Sequence, residues 1–189
     1  MFTFKKKYFI IIQKLDDINL KNFKINKKIS IIYRNNKETD SFEKLLIFRK
    51  QCKTKKIKFL IANNAKLAVK LKSDGLYISA SNKSFKSLNY RNRKIMIIGS
   101  AHNYKEINLK KKQGCKYVLF SKLFRVSYDK NAEFLGVVKF NNLINSHKQI
   151  IPLGGIKEEN LKKLKIIRAL GFAIMSEIKK KPAISNRLF

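Results

Sequence analysis

Short apolar, β-branched runs recur along the chain, each followed by a more polar segment: Tyr8–Ile12, Ile29–Tyr33, Phe59–Ala62, Leu76–Ile78, Ile95–Ile98, Tyr117–Phe120, Ile150–Leu153 and Phe172–Met175. Near-continuous apolar runs of this length suit strands buried on both faces, as a parallel sheet requires. The segments between them read as amphipathic helices. Asp40-Ser41-Phe42-Glu43 has the capping-box pattern, with the Asp40 carboxylate placed to accept from the first turn and Phe42, Leu45 and Leu46 on one face. Over 158–170, Leu161, Leu164, Ile167 and Leu170 recur every three residues, with Glu158 and Glu159 at the electropositive start and Arg168 near the end. Gly114, closing the 104–113 segment, fits a left-handed C-cap.

Strand onsets lie roughly 20–30 residues apart, so strand and helix alternate. Eight such units predict a closed (β/α)8 barrel rather than an open doubly wound sheet. At 189 residues the barrel is compact against a typical length of about 250, so some helices must be short or missing. The few residues after the last strand, Lys179–Phe189, predict a truncated last helix. The expectation is one domain over 1–189 with its core at 6–178.

Composition adds less than it first suggests. Forty-four basic side chains against 12 acidic ones give a net charge of +32, a field that attracts polyanions. Yet the basic set is 37 Lys and only 7 Arg, and Lys, Ile and Asn make up 80 of the 189 residues. All three use codons opening with two A/T bases, so an AT-rich genome produces this balance unaided. Base reading and bidentate phosphate grip favour Arg. No specific nucleic-acid partner is expected, only salt-sensitive adhesion. No apolar stretch approaches the roughly 20 residues of a bilayer span, so no membrane partner is expected. Lys5–Lys7 precede apolar residues as in a secretory signal, but the apolar core is too short and no cleavage site follows, which predicts a cytoplasmic protein. Cys52 and Cys115 fit neither a zinc motif nor a disulfide framework and read as reduced, part-buried thiols.

In a parallel barrel, chemistry gathers in the loops after the strands. After the seventh strand, Gly154-Gly155 lets backbone amides approach an anion at the start of the following helix, and Ser176 after the eighth offers a hydroxyl beside it. After the fifth, Gly99-Ser100-Ala101-His102 offers a hydroxyl and a proton-transfer group. His147, at a polar helix end, reads as structural.

These segments resemble the thiamine phosphate synthase family and its TenI-type thiazole tautomerase relatives. FLIANNAKLAVKLKSDGLYIS (59–79) is similar to the family's strand, Asn-Asp-Arg loop, helix and Ala-Asp-Gly strand. IIGSAHNYKEI (97–107) resembles its Gly-x-Ser-x-His segment, and GCKYVLFSKLF (114–124) its Gly-Ala-Asp-Tyr-Val block. IPLGGIKEEN (151–160) resembles its Gly-Gly-Ile-x-x-x-Asn block, and GFAIMSEI (171–178) its closing strand. The resemblance runs in order from Ile29 to Ile178.

It implies a (β/α)8 barrel of thiamine biosynthesis that joins hydroxymethylpyrimidine diphosphate to a thiazole phosphate, with Mg²⁺ assisting departure of the diphosphate. Carried over residue by residue, it implies His102 and Ser100 as catalytic. Arg34, Lys37, Lys130, Gly154, Gly155 and Ser176 would contact substrate or phosphate, and Asn160 is retained beside them. At the Mg²⁺ positions the family's aspartates become Asn63 and Asn82, which contribute no charge. Of the diphosphate-binding Gln-x-Arg-x-Lys only Arg34 remains, with Lys37 one residue displaced. The Thr-x-Thr-Lys loop becomes Val126-Ser127-Tyr128-Asp129, followed by Lys130. The monophosphate end is better preserved than the metal–diphosphate end. The tautomerase branch needs neither metal nor diphosphate, and its proton-transfer histidine matches His102. A metal-free isomerase and a non-catalytic phosphate-ligand barrel are therefore the alternatives to the synthase. Asp16, Asp17, Asp74 and Asp129 are the carboxylates to examine as relocated metal ligands. Asp74, before the fourth strand, is expected at the wrong end of the barrel.

Overall fold

All eight apolar runs form strands. The computed structural model describes residues 7–35, 40–93, 95–126 and 131–175. Its strands are β1 (Lys7–Ile12), β2 (Ile29–Tyr33), β3 (Lys58–Ala62), β4 (Gly75–Ile78), β5 (Met96–Ala101), β6 (Tyr117–Ser121), β7 (Ile150–Leu153) and β8 (Gly171–Ile174). Each pairs in parallel with the next, and β8 pairs with β1, so the sheet closes into a barrel.

Strand alternation sorts the apolar side chains into two cores. Phe9, Ile11, Ile32, Leu60, Tyr77, Ile98, Leu119 and Ile151 fill the barrel, while their outward neighbours, such as Ile10, Ile31, Phe59 and Val118, pack under the outer layer. Burial on both faces is why the runs read as continuous rather than alternating.

Four α-helices are found among the described residues: α1 (Phe42–Thr54), α2 (Ala65–Lys70), α3 (Tyr104–Lys112) and α4 (Gly136–Ser146). The connections after β1, β4 and β7 contain 3-10 helix instead. The 158–170 segment, expected as an amphipathic α-helix, is a 3-10 helix over Glu158–Lys165 followed by turns. Its spacing explains this. Apolar residues three apart stack in a 3-10 helix, and Leu161, Leu164 and Ile167 are buried, whereas Leu170 is exposed.

The cap of α1 also differs from expectation. Ser41, not Asp40, is the N-cap and accepts from the Lys44 amide. Asp40 is drawn away by the Tyr33 hydroxyl, which donates to it at 2.7 Å. Leu45, Phe48 and Cys52 form the buried face of α1, with Phe42 and Leu46 packed beside it. Gly114, at φ +80, closes α3 as expected.

Asp74 sits at the start of β4, accepting from the Phe59 amide at 2.8 Å and pairing with Arg49 of α1 at 3.0 Å. It holds the bottom of the barrel. Cys52 and Cys115 are free and buried, and burial pushes both thiols up to about 12, so they stay protonated near neutral pH. No described helix is long and apolar enough to cross a membrane. The segment after β8, where a truncated last helix is expected, lies outside the described residues.

Candidate functional site

The mouth is the rim formed where the strands end. Alternation from the inner core aims Arg34, Ser79, Ser100 and Ser121 inward around it, with Leu153 and Met175 packed on the core below. Ser100 is buried, and Ser79 and Ser121 are half-buried. Sequence reading singles out Ser100 alone. Ser79 and Ser121 lie two residues beyond Tyr77 and Leu119, so the same alternation finds them once the strand ends are known. Below the mouth, the Tyr77 hydroxyl is buried without a hydrogen-bond partner.

On the β7 side, the backbone makes the turn. Gly154 has φ +91 and Gly155 has φ +68. A Cβ on Gly155 would collide with the Phe124 carbonyl and lie 2.6 Å from the Arg125 oxygen. The turn is pinned from one side by Leu123 N donating to Leu153 O (2.9 Å) and Phe124 N to Gly154 O (3.1 Å). Asn160 pins the other side, donating to the Gly155 carbonyl at 2.7 Å and accepting from the Lys157 amide at 2.9 Å. Among the described residues nothing accepts from the Gly155 amide. Free backbone donors ahead of a helix start can receive an anion.

Arg34 reaches across β1 to the end of β8, its Nη2 3.3 Å from Met175 Sδ. It forms no ion pair among the described residues, and a guanidinium at the mouth is the group that grips an anion. Ser176, the next residue after Met175, lies outside the described residues, as do Lys37 and Lys130. The geometry therefore brings Arg34 to the β8 end and is silent on those three.

At the end of β5, His102 is exposed. Its amide donates to Glu106 Oε2 at 2.6 Å while Asn103 Oδ1 accepts from the Glu106 amide at 2.9 Å, a reciprocal cap that fixes the strand end. The His102 ring has no partner among the described residues, which suits a group that must exchange protons with a ligand. His147 caps α4 and contacts Lys111 Nζ at 2.9 Å, a structural place.

The β3–β4 corner brings Asn63 and Asn82 together. Asn63 Oδ1 accepts from the Ser79 amide (3.0 Å) and from Asn82 Nδ2 (3.2 Å), while its Nδ2 donates to Ser79 Oγ (3.1 Å). Asn82 Oδ1 accepts from the Ser84 amide at 3.0 Å. This donor set does not fit Mg²⁺. Both lone pairs of Asn63 Oδ1 are taken, and neutral amides supply none of the charge a hard dication needs. Among the described residues, Asp16 and Asp17 do not make up the loss. Asp17 accepts from the Gln13 and Lys14 amides, and Asp16 lines a surface groove with Gln51, Thr54 and Lys55 at the far end of α1. Asp129 lies outside the described residues.

Behind this corner sits a residue the sequence does not flag. Lys110 of α3 is fully buried. Its Nζ donates to the Asn82 carbonyl at 2.8 Å and to Gln113 Oε1 at 3.0 Å. Gln113, also fully buried, donates to the same Asn82 carbonyl (3.0 Å) and to that of Ser84 (2.9 Å). The lysine stem lies against Gly99, whose Cβ would stand 2.8 Å from Lys110 Cδ. Desolvation holds the Lys110 pKa below the usual lysine range, against the pull of its neighbours Cys115 and Glu106.

Comparison with known proteins agrees with this architecture. A family model described as thiamine monophosphate synthase matches residues 12–178. A thiamine-phosphate synthase of Pelagibacter ubique is 34% identical over 188 residues, covering 90% of this chain and 87% of that one. One from Methanococcus vannielii is 25% identical over 121 residues, a match covering 64% of this chain and 59% of that protein's length. Among solved structures, a thiamine phosphate pyrophosphorylase from Pyrococcus furiosus superposes with a TM-score of 0.71 at 15% identity, over 98% of this chain and 96% of that one. At that identity it speaks for the fold.

Proposed function

The chain belongs to the thiamine monophosphate synthase family, and from that premise we propose that it is a synthase-type transferase joining hydroxymethylpyrimidine diphosphate to a thiazole phosphate. The observation that carries this reading is the Gly154–Gly155 turn. It is fixed by Asn160, offers the Gly155 amide, from which nothing among the described residues accepts, and shares the mouth with Arg34. Such a turn suits the monophosphate of the thiazole partner. Ser176, Lys37 and Lys130 are assigned as further phosphate contacts on the resemblance alone.

In the reaction the bond between the pyrimidine methylene carbon and the diphosphate oxygen breaks, and the oxygen keeps the electron pair. The pyrimidine-stabilised cation is captured by the thiazole nitrogen, forming the new C–N bond. The residues present bear on charge and position. Arg34 can take charge on the leaving oxygens, the Gly155 amide orients the thiazole phosphate, and Ser100 offers a hydroxyl between them. The Asn63–Asn82 pair, its two amides bonded to each other, does not fit a metal.

The test is direct: purified chain, both phosphorylated substrates, and detection of the coupled product. Turnover supports the reading and its absence overturns it. The closed amide pair, with a His102 ring that has no partner among the described residues, favours a second reading, proton transfer on a thiazole phosphate by a TenI-type isomerase. There His102→Asn should abolish hydrogen exchange on the thiazole while leaving phosphate binding intact. Unchanged exchange removes His102 from that role.

A further inference from the structure

We propose that the β3–β4 corner of the mouth works without a divalent cation: Asn63 and Asn82 join the two loops directly, and the buried Lys110 side chain holds the Asn82 loop from behind. The first support is the direction of the amides. Backbone N–H groups only donate, so the Ser79 amide fixes Asn63 Oδ1 toward itself and the Ser84 amide fixes Asn82 Oδ1 away from Asn63. Asn82 must then present its NH2 to Asn63, and the 3.2 Å contact is donor to acceptor. A carboxylate at position 82 would put oxygen against oxygen at that distance, an arrangement that a cation between them would stabilise. The amide removes the need.

The second support is the place of Lys110. A buried ammonium with neutral partners is unfavourable unless its hydrogen bonds are met. Its two acceptors are the Asn82 carbonyl and Gln113 Oε1, and Gln113 binds the same loop. Helical side chains lean toward the helix N-terminus, so a lysine near the end of α3 reaches up behind the mouth-side loop. Lys110 is thus a positioning residue, acting through the Asn82 backbone. That this corner faces a phosphorylated ligand rests on the function proposed above. The metal-free corner itself does not.

Four measurements test this. Titrated with Mn²⁺ alone and followed by electron paramagnetic resonance, the full chain should show no saturable binding in the millimolar range. One ion per chain, lost in Asn63→Ala or Asn82→Ala, overturns the proposal. The Asn63→Asp/Asn82→Asp variant should melt about 3–6 °C lower in EDTA and recover with Mg²⁺ but not with NaCl of equal ionic strength; an unchanged melting temperature in EDTA also overturns it. Lys110→Met should raise amide exchange over 79–84 by at least about tenfold while protection elsewhere holds, with Gln113→Leu as the second variant should the first not fold. Unchanged exchange in the folded variant removes Lys110 from its role. Finally, inorganic pyrophosphate should bind the wild-type chain equally in EDTA and in Mg²⁺. Binding only with Mg²⁺ overturns the proposal, whereas binding in neither overturns the phosphorylated-ligand reading and leaves the corner to be decided by Mn²⁺.

Discussion

At the end of β7 the chain shapes its turn with backbone. Two glycines take positive φ, Gly155 passing under the Phe124 and Arg125 carbonyls where no side chain fits and Gly154 against Ser121 and Lys122, and one asparagine, Asn160, locks the exit. At the β3–β4 corner the contacts between the loops run largely through side chains, Asn63, Ser79, Ser81 and Asn82, in a chain of amide and hydroxyl hydrogen bonds on half-exposed loops. The two corners answer differently to substitution. A backbone-built turn demands glycine and breaks when it changes. A side-chain-built corner is rewired by exchanging an oxygen for an NH2 group, after which it closes on itself through its own amides. The resemblance to the family is accordingly strong at one corner and altered at the other, though both belong to one rigid barrel.

The largest expected effect is at the backbone-built corner. Gly155→Ala places a methyl group against the Phe124 carbonyl at φ +68, and should cost about 3 kcal/mol, or roughly 6–12 °C in melting temperature, together with anion binding. A variant as stable as wild type would break the contrast. Next, Asn160→Ala removes two hydrogen bonds that fix the turn and should lose about 1–2 kcal/mol in urea unfolding. Asn63→Gly should lose less than about 1 kcal/mol, since water can replace its exposed bonds and glycine accepts its φ of +56. The reverse order would show that the amide corner is the more structural of the two. The smallest effect lies on the floor between them. Tyr77→Phe removes an unpartnered buried hydroxyl and should leave stability unchanged or raise it by up to about 1 kcal/mol. A loss would reveal a buried water serving that group.

Much of this was legible in the residues. Eight runs buried on both faces show themselves as continuous apolar stretches, and Gly154-Gly155 announces a turn wherever it stands. Local chemistry was less certain. The Asp40 cap failed because Tyr33, remote in the pattern, claims the carboxylate. The period of three over Leu161, Leu164 and Ile167 carried its own message, since it is the 3-10 repeat rather than a worn α-helical one. Lys110 was out of reach. A lysine in the last turn of a helix reads as a solvated partner of the helix dipole. Its burial depends on the bare backbone of Gly99 on the adjacent strand and on carbonyls of a loop 28 residues earlier. Ser79 and Ser121 were missed for a simpler reason: each stands at the edge of its apolar run, and its facing is known only once the strand is placed.

The 3-10 connections have a consequence for length. A 3-10 helix advances about 2.0 Å per residue against about 1.5 Å for an α-helix. The eight residues of Glu158–Lys165 or Lys86–Arg93 therefore carry the chain about 16 Å, comparable to a strand of five residues. An α-helix would need nearly three residues more for the same return journey. The stretched coil is the longer ruler, and with it the chain completes eight strands on a short thread.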